Sequence, residues 1–329
     1  MKRIFCALLC GLLLMILTAC GGSKQVPAET ETPKETETPA TPVETPEETV
    51  TFTDDLDREI TVTKPGRVAA LIGSFADVWC LAGGQGTLVA AADDSWTQFD
   101  LDLPETVENL GAVKEPNVEK LLAAEPDFVL GSTKTAADVE LMGLLEQSSI
   151  PVAYFDISSF EDYLRMLEVC TWLTGCPERY TQYGADVQAV VKQAAARQDG
   201  SAPRVLYVRA TGSSCKVKNS QGTVLGEMLA SLGCVNIADS ETGLLETLSM
   251  ETILAEDPEH IFVVLQGSDT TKAKQTLEMS LLSNPAWNEL TAVREGRYHV
   301  MDQRLYNVKP NARWGEAYEK LADILYPEQ

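Results

Sequence analysis

Val118-Glu119-Lys120-Leu121-Leu122-Ala123-Ala124-Glu125-Pro126-Asp127-Phe128-Val129-Leu130 returns 132 positions later as Met250-Glu251-Thr252-Ile253-Leu254-Ala255-Glu256-Asp257-Pro258-Glu259-His260-Ile261-Phe262. Without a gap, Glu119 falls on Glu251, Leu122 on Leu254, Ala123 on Ala255 and Pro126 on Pro258, and the acids Asp127 and Glu259 share a position. A period this long is too large for a solenoid unit. It suits two lobes of one architecture, each the size of a small domain. Two similar lobes that face each other enclose a cleft, and clefts at such interfaces are favoured ligand sites. The repeat also sets one carboxylate, Glu119 or Glu251, at the matching position of each lobe.

Elsewhere in the chain, short β-branched runs alternate with helical patterns, which predicts an α/β fold with parallel sheets. Val68–Ile72, Val89–Ala92, Phe128–Gly131 and Val152–Phe155 read as strands of the first lobe. Val205–Val208, Val235–Ile237, Ile261–Leu265 and Tyr298–Met301 read as strands of the second. Helices are expected over Phe75–Leu81, Val118–Ala124, Ala136–Gln147, Thr223–Leu232, Met250–Ala255 and Thr271–Leu282, with a closing helix over 311–326. Between the lobes, Phe160–Leu173 is amphipathic and ends at Gly175. Pro177 opens a second helix reaching Gln198, a position where helices tolerate proline. The expected architecture is two Rossmann-like lobes, 51–175 and 200–329, joined by one long rigid helix over 176–199. Lobes joined in this way are expected to move little.

Residues 1–19 read as an address. Lys2 and Arg3 precede the apolar run Ile4–Leu17, which is short for a membrane span and suits a secretory signal. Leu17-Thr18-Ala19-Cys20-Gly21 resembles a bacterial lipobox, in which Cys20 is lipidated and becomes the new N-terminus. Acyl chains then anchor the chain without a spanning helix. Over 20–50 the sequence is mostly Thr, Pro and Glu, an expected disordered tether that would lift a domain off the membrane and through a cell wall. The expected location is the outer face of the cytoplasmic membrane, in a Gram-positive type of envelope.

The formal charge is −23, and loss of Lys2 and Arg3 with the signal moves it to −25. Nucleic acid is excluded as a partner on this balance, since binding it needs a basic footprint. Five cysteines remain after Cys6, Cys10 and Cys20: Cys80, Cys170, Cys176, Cys215 and Cys234. An odd, dispersed set without a C-x-x-C argues against a disulfide framework or a zinc site, although a Cys170–Cys176 bridge fits the spacing. His260 and His299, the two histidines, both lie in strand-like runs. No resident cofactor or metal site is expected.

Several segments resemble the substrate-binding proteins of bacterial ABC importers for iron–siderophores, haem and vitamin B12. Thr51–Val62 is similar to the family's opening β-hairpin. Asn109-Leu110-Gly111 with Pro116-Asn117-Val118-Glu119 and Pro126-Asp127 forms the most specific block. Leu232–Ala238, Asn284-Pro285-Ala286-Trp287 and Val293–Tyr298 complete it. The resemblance implies a monomer that holds a bulky metal chelate in its cleft and hands it to a permease dimer with its ATPase. It also implies a role for Glu119 and Glu251, docking onto arginines of the permease. Acids in the first turn serve helix stability as well, so both readings of the pair stand at this point.

In open α/β sheets, ligands sit beyond the carboxyl ends of the strands. Those ends carry Ser74 and Phe75; Asp93, Ser95 and Trp96; Ser132, Thr133 and Lys134; Arg209 and Thr211; Gln266 and Ser268; Arg304 and Tyr306. Phe75, Trp96 and Tyr306 offer flat apolar area, while Lys134, Arg209 and Arg304 offer charge. Arginine at these ends suits carboxylate or catecholate oxygens, or it pairs with a local acid. A ferric siderophore is the expected cargo, with haem and cobalamin as alternatives and a tethered receptor or adhesin as the non-transport reading. Enzyme chemistry is not expected: G-x-S-x-G and the P-loop are missing, and Gly83-Gly84-Gln85-Gly86 lacks the dinucleotide fingerprint.

Overall fold

The structure is a computed structural model and describes residues 49–267 and 270–327. Cys20, the signal 1–19 and most of the expected tether, together with Ser268, lie outside the described residues. The chain begins with an antiparallel hairpin of β1 (Thr49–Thr53) and β2 (Glu59–Thr63). Its turn is held by Asp54, whose buried carboxylate accepts from the backbone N–H of Leu56, Arg58 and Tyr154 and pairs with the Arg58 guanidinium.

Five parallel strands follow: β3 (Val68–Ala70), β4 (Leu88–Ala91), β5 (Glu108–Asn109), β6 (Phe128–Ser132) and β7 (Val152–Phe155). Their order across the sheet is β5-β4-β3-β6-β7. The second sheet contains β8 (Arg204–Ala210), β9 (Cys215–Lys218), β10 (Val235–Asn236), β11 (His260–Leu265) and β12 (Tyr298–Met301). Its parallel order is β10-β8-β11-β12, with β9 folded back antiparallel on β8. Both β6 and β11 are buried along their whole length, which is why they read as continuous apolar runs rather than alternating ones.

The 132-residue repeat is retained down to individual hydrogen bonds. Val118–Ala123 is capped by the Asn117 side chain, which accepts from Lys120 N–H. Met250–Glu256 is capped by Ser249, which accepts from Thr252 N–H. Past each helix one acid turns left-handed, Glu125 at φ 45° and Asp257 at φ 36°. The shared acid then ties the next strand to the first: Asp127 accepts from Arg67 N–H and Glu259 from Arg204 N–H. The two arginines lie in front of β3 and at the start of β8, and their guanidinium groups satisfy the orphan carbonyls Ala124 and Glu256 at the helix ends.

Between the sheets the chain is helical over Phe160–Thr174 and Pro177–Ala195. The first helix carries a Ser159/Asp162 capping box and stops at Gly175 in the left-handed region. The second departs from expectation. Thr181–Ala185 is a π-turn, and the helix ends at Ala195 rather than Gln198. The π-turn seats Gly184 against Leu164 and Leu167 and lets the Tyr183 carbonyl accept from the Tyr163 hydroxyl. The closing helix Trp314–Leu325 packs along Asp186–Ala195, with Gly315 against Val190.

One apolar core runs through both lobes and the helices between them, from Phe75 and Trp79 through Phe160 to Tyr207, Phe262, Trp314 and Tyr318. Smaller cores lie on the outer face of each sheet. The five cysteines of the described residues are free thiols, so Cys170 and Cys176 do not form a bridge; Cys170 is buried in the core, where burial pushes its thiol up. Ala136–Gln147 is two short helices that break at Leu141. No helix among the described residues is long and apolar enough to cross a membrane.

Candidate functional site

Sheet order fixes where a site can form. The chain passes from β3 to β4 on one side and returns to β6 on the other, so a crevice opens past the carboxyl ends of β3 and β6. The second sheet reverses in the same way, with β8 between β10 and β11. Two adjoining cavities lie between these ends and share the walls Ile72, Gln266, Asn307 and Lys309. One, about 350 Å³, adds Ser132, Lys134, Thr223 and Arg209; the other, about 260 Å³, adds Ser74, Asp94 and Phe99. A third, about 220 Å³, opens beside Asp77, Phe99, Arg304 and Lys309.

Of the strand-end residues expected to meet a ligand, Lys134, Arg209 and Arg304 line these cavities, as do Ser74, Ser132 and Gln266. The aromatic ones do not. Phe75 is fully buried and meets Phe155 edge-on, ring centroids 6.2 Å apart. Tyr306 is buried too, its hydroxyl donating to the Ala317 carbonyl at 3.0 Å. Ser95 is fully buried, and Trp96 is half-buried against the shared core. Each is at the predicted place in the chain, but its side chain points into the protein. Phe99, three residues past Trp96, supplies the aromatic wall instead.

The arginines divide between the two readings left open for them. Arg304 pairs with Asp100 of the first lobe at 2.7 Å. Arg209 has no acid partner among the described residues; its guanidinium donates to the Tyr207 hydroxyl at 3.1 Å. Lys134 pairs with Asp156 at 2.9 Å. Lys309 joins the site although it does not lie at a strand end. It comes from the segment between the short helix Gln303–Tyr306 and the closing helix. Asn311, two residues on, pins that segment to the first lobe by donating to the Ser74 carbonyl and to Asp77, each at 2.8 Å.

Two buried acids lie on the first-lobe side. Asp94 accepts from Gly73 N–H at 2.8 Å. Burial pushes its carboxyl up to about 6, against that hydrogen bond and the nearby Lys309 charge. Gly73 has no room for a larger residue, since a Cβ there would stand 2.6 Å from the Ser95 nitrogen. Behind Ser132, Asp138 is fully buried and accepts from Ser132 N–H at 2.9 Å. Burial pushes Asp138 up to about 7, with the neighbouring Asp94 adding to the rise.

A carboxyl whose folded pKa lies above its unfolded value favours the fold only while protonated. Its contribution is full at low pH and is lost as pH rises from the unfolded value of 3.8 through about 7. Asp138→Asn keeps an acceptor for Ser132 N–H and carries no charge. The expected result is a variant whose melting temperature exceeds that of the parent by more at about pH 8 than at about pH 5. An equal difference at both would show that Asp138 does not titrate in this range.

Glu119 and Glu251 are exposed in the first turns of their helices, each two residues past its cap. Both helices run against the parallel strands, so both glutamates stand at the carboxyl edges, the same edges that border the cleft.

The family model described as "Periplasmic binding protein" matches residues 68–305. The iron-uptake system-binding protein of Bacillus subtilis is 24% identical over 332 residues, covering 98% of this chain and 96% of the relative. Among solved structures, the periplasmic haem-binding protein RhuT of Roseiflexus sp. RS-1 superposes with a TM-score of 0.64 at 21% identity, over 79% of this chain and 97% of that one. Staphylococcus aureus SirA, solved with staphyloferrin B, gives a TM-score of 0.63 at 21% identity, over 84% and 97%.

Proposed function

Because this chain belongs to the periplasmic binding protein family, a family of solute-binding proteins rather than enzymes, we propose that it captures a ferric siderophore outside the cytoplasm and delivers it to an ABC importer. The observation that carries this reading is the charge of the cleft. In a chain with 49 acids against 26 basic residues, Lys134, Arg209 and Lys309 converge on one crevice between the lobes. Such a concentration of cations focuses an anionic ligand into a site whose surroundings repel it. Guanidinium and ammonium donors match the hard oxygens of a chelate. The Bacillus subtilis relative, named for iron uptake, and SirA with its staphyloferrin B support the same cargo. Haem is the second reading, favoured by the likeness to RhuT and by two basic groups able to meet two propionates. Cobalamin has weaker support, since it carries no anion that needs this charge.

Cys20 carries the lipid anchor, the tether spans a Gram-positive wall, and the domain works as a monomer. Glu119 and Glu251 engage basic residues of the permease, one from each lobe. Titrating the purified full-length chain with ferric siderophores, haemin and cyanocobalamin, read by tryptophan fluorescence, tests the cargo. Saturable quenching by a ferric chelate that is lost in Arg209→Ala is the expected result. Saturation by cyanocobalamin alone would refute the assignment.

A further inference from the structure

Of the basic residues at the cleft, Lys309 alone borders all three cavities. Lys134, Arg304 and Arg313 are each engaged by an acid, Asp156, Asp100 and Glu316 respectively. Lys309 makes neither a hydrogen bond nor an ion pair to any described residue, although it is half-buried. Asp156, Asp94, Lys134 and Arg209 act on its charge, while Asp77, Arg304, Arg313 and Lys114 line cavities with it. Asp156 is already paired with Lys134, Asp94 is tied to Gly73 N–H, and Lys134 and Arg209 repel it. Desolvation without a dedicated counter-ion lowers the ammonium's pKa below the ordinary lysine range. Two more polar atoms at these walls have no partner among the described residues: the Ser74 hydroxyl, on a residue 1% exposed, and the Asn307 side-chain amide oxygen Oδ1. Buried polar groups are almost always hydrogen-bonded, so these three groups together point to a ligand that completes them.

We infer that Lys309 is the specificity-determining cation of the cleft, and that the ligand presents an anionic oxygen to it, flanked by groups that bond Ser74 and Asn307. This rests on the cargo reading above and narrows it to ferric chelates of net negative charge. It excludes hydroxamate chelates of net positive charge. Binding such an anion raises the ammonium's pKa back toward normal. Affinity is therefore full below the lowered pKa of the unliganded protein and falls as pH rises through it.

The test is calorimetric titration of the full-length chain and of its Lys309→Met and Lys309→Arg variants, over a pH series. The probes are an anionic ferric catecholate, tris(2,3-dihydroxybenzoate) iron, and the cationic hydroxamate ferrioxamine B. The parent should prefer the catecholate. Lys309→Met should weaken that binding by roughly tenfold or more, as expected for loss of a charge-assisted hydrogen bond, and abolish its alkaline decline. Lys309→Arg should recover most of the affinity, which a merely structural role for the side chain would not predict. Ferrioxamine B binding should be unmoved or improved in Lys309→Met. The inference is overturned if Lys309→Met binds the catecholate within about twofold of the parent with the same pH profile, or if the parent prefers ferrioxamine B; either leaves the siderophore reading standing. If the parent binds neither chelate, both the reading and the inference fail.

Discussion

Glu119→Arg combined with Glu251→Arg is expected to abolish uptake while ligand affinity stays within about twofold of the parent. Both side chains are exposed and stand on helix starts outside the cavity walls, so reversing them leaves Lys134, Arg209 and Lys309 untouched. The cost to the fold is small. An acid in a first turn contributes about 0.3–1 kcal/mol through the helix dipole. Rim charges chiefly set encounter and orientation, and like charges placed opposite each other cost several kcal/mol. Reversal therefore converts two attractive contacts with a basic permease surface into repulsive ones. Either single reversal should give a partial defect, since the repeat supplies one contact per lobe. Uptake of radiolabelled ferric siderophore in cells carrying each variant measures this, with ligand binding titrated in parallel. Uptake at the parental rate in the double variant would remove the docking role and leave helix stability as the reason for both acids.

Trp314→Ala should be the most destabilising single change, by about 3–5 kcal/mol. Trp314 is fully buried where the closing helix meets the connecting helices, 5.9 Å from the Phe160 ring and 6.3 Å from that of Tyr318. Its indole N–H has no partner among the described residues. Trp314→Phe should therefore lose far less, because removing an unsatisfied buried donor offsets part of the lost packing. The core around it belongs to both lobes. Urea unfolding followed by tryptophan fluorescence and by far-ultraviolet circular dichroism is then expected to give one coincident transition, shifted as a whole in Trp314→Ala. Two separated transitions would mean that the lobes fold independently and that the shared core couples them weakly.

The repeat was readable because each of its parts has a local cause: a capping side chain, an acid in the first turn, a proline after the helix and a second acid before the strand. Buried parallel strands such as β6 and β11 were readable as uninterrupted apolar runs. The π-turn at Thr181–Ala185 was not, since apolar spacing does not separate a π-turn from the α-helix around it. At the cleft, strand ends gave position but not side-chain direction. Lys134 and Arg209 point into the crevice, whereas Phe75 and Tyr306, which follow such ends in the next short helix, supply core volume. Large rings turn inward when a core is within reach, because burying one removes 150–250 Å² of surface from water. Lys309 escaped the strand-end rule altogether. Its position is set by Asn311, which pins the segment before the closing helix across the cleft, a tertiary contact that no local pattern encodes.

The anomalous signal of iron in crystals grown with an anionic ferric chelate tests the central claim most directly. The iron should lie in the crevice between the carboxyl ends of β3 and β6 and those of β8 and β11, with Arg209 and Lys309 on the chelate's oxygens. Iron bound elsewhere on the protein, or a chelate bound with those two side chains turned away from it, would contradict the account.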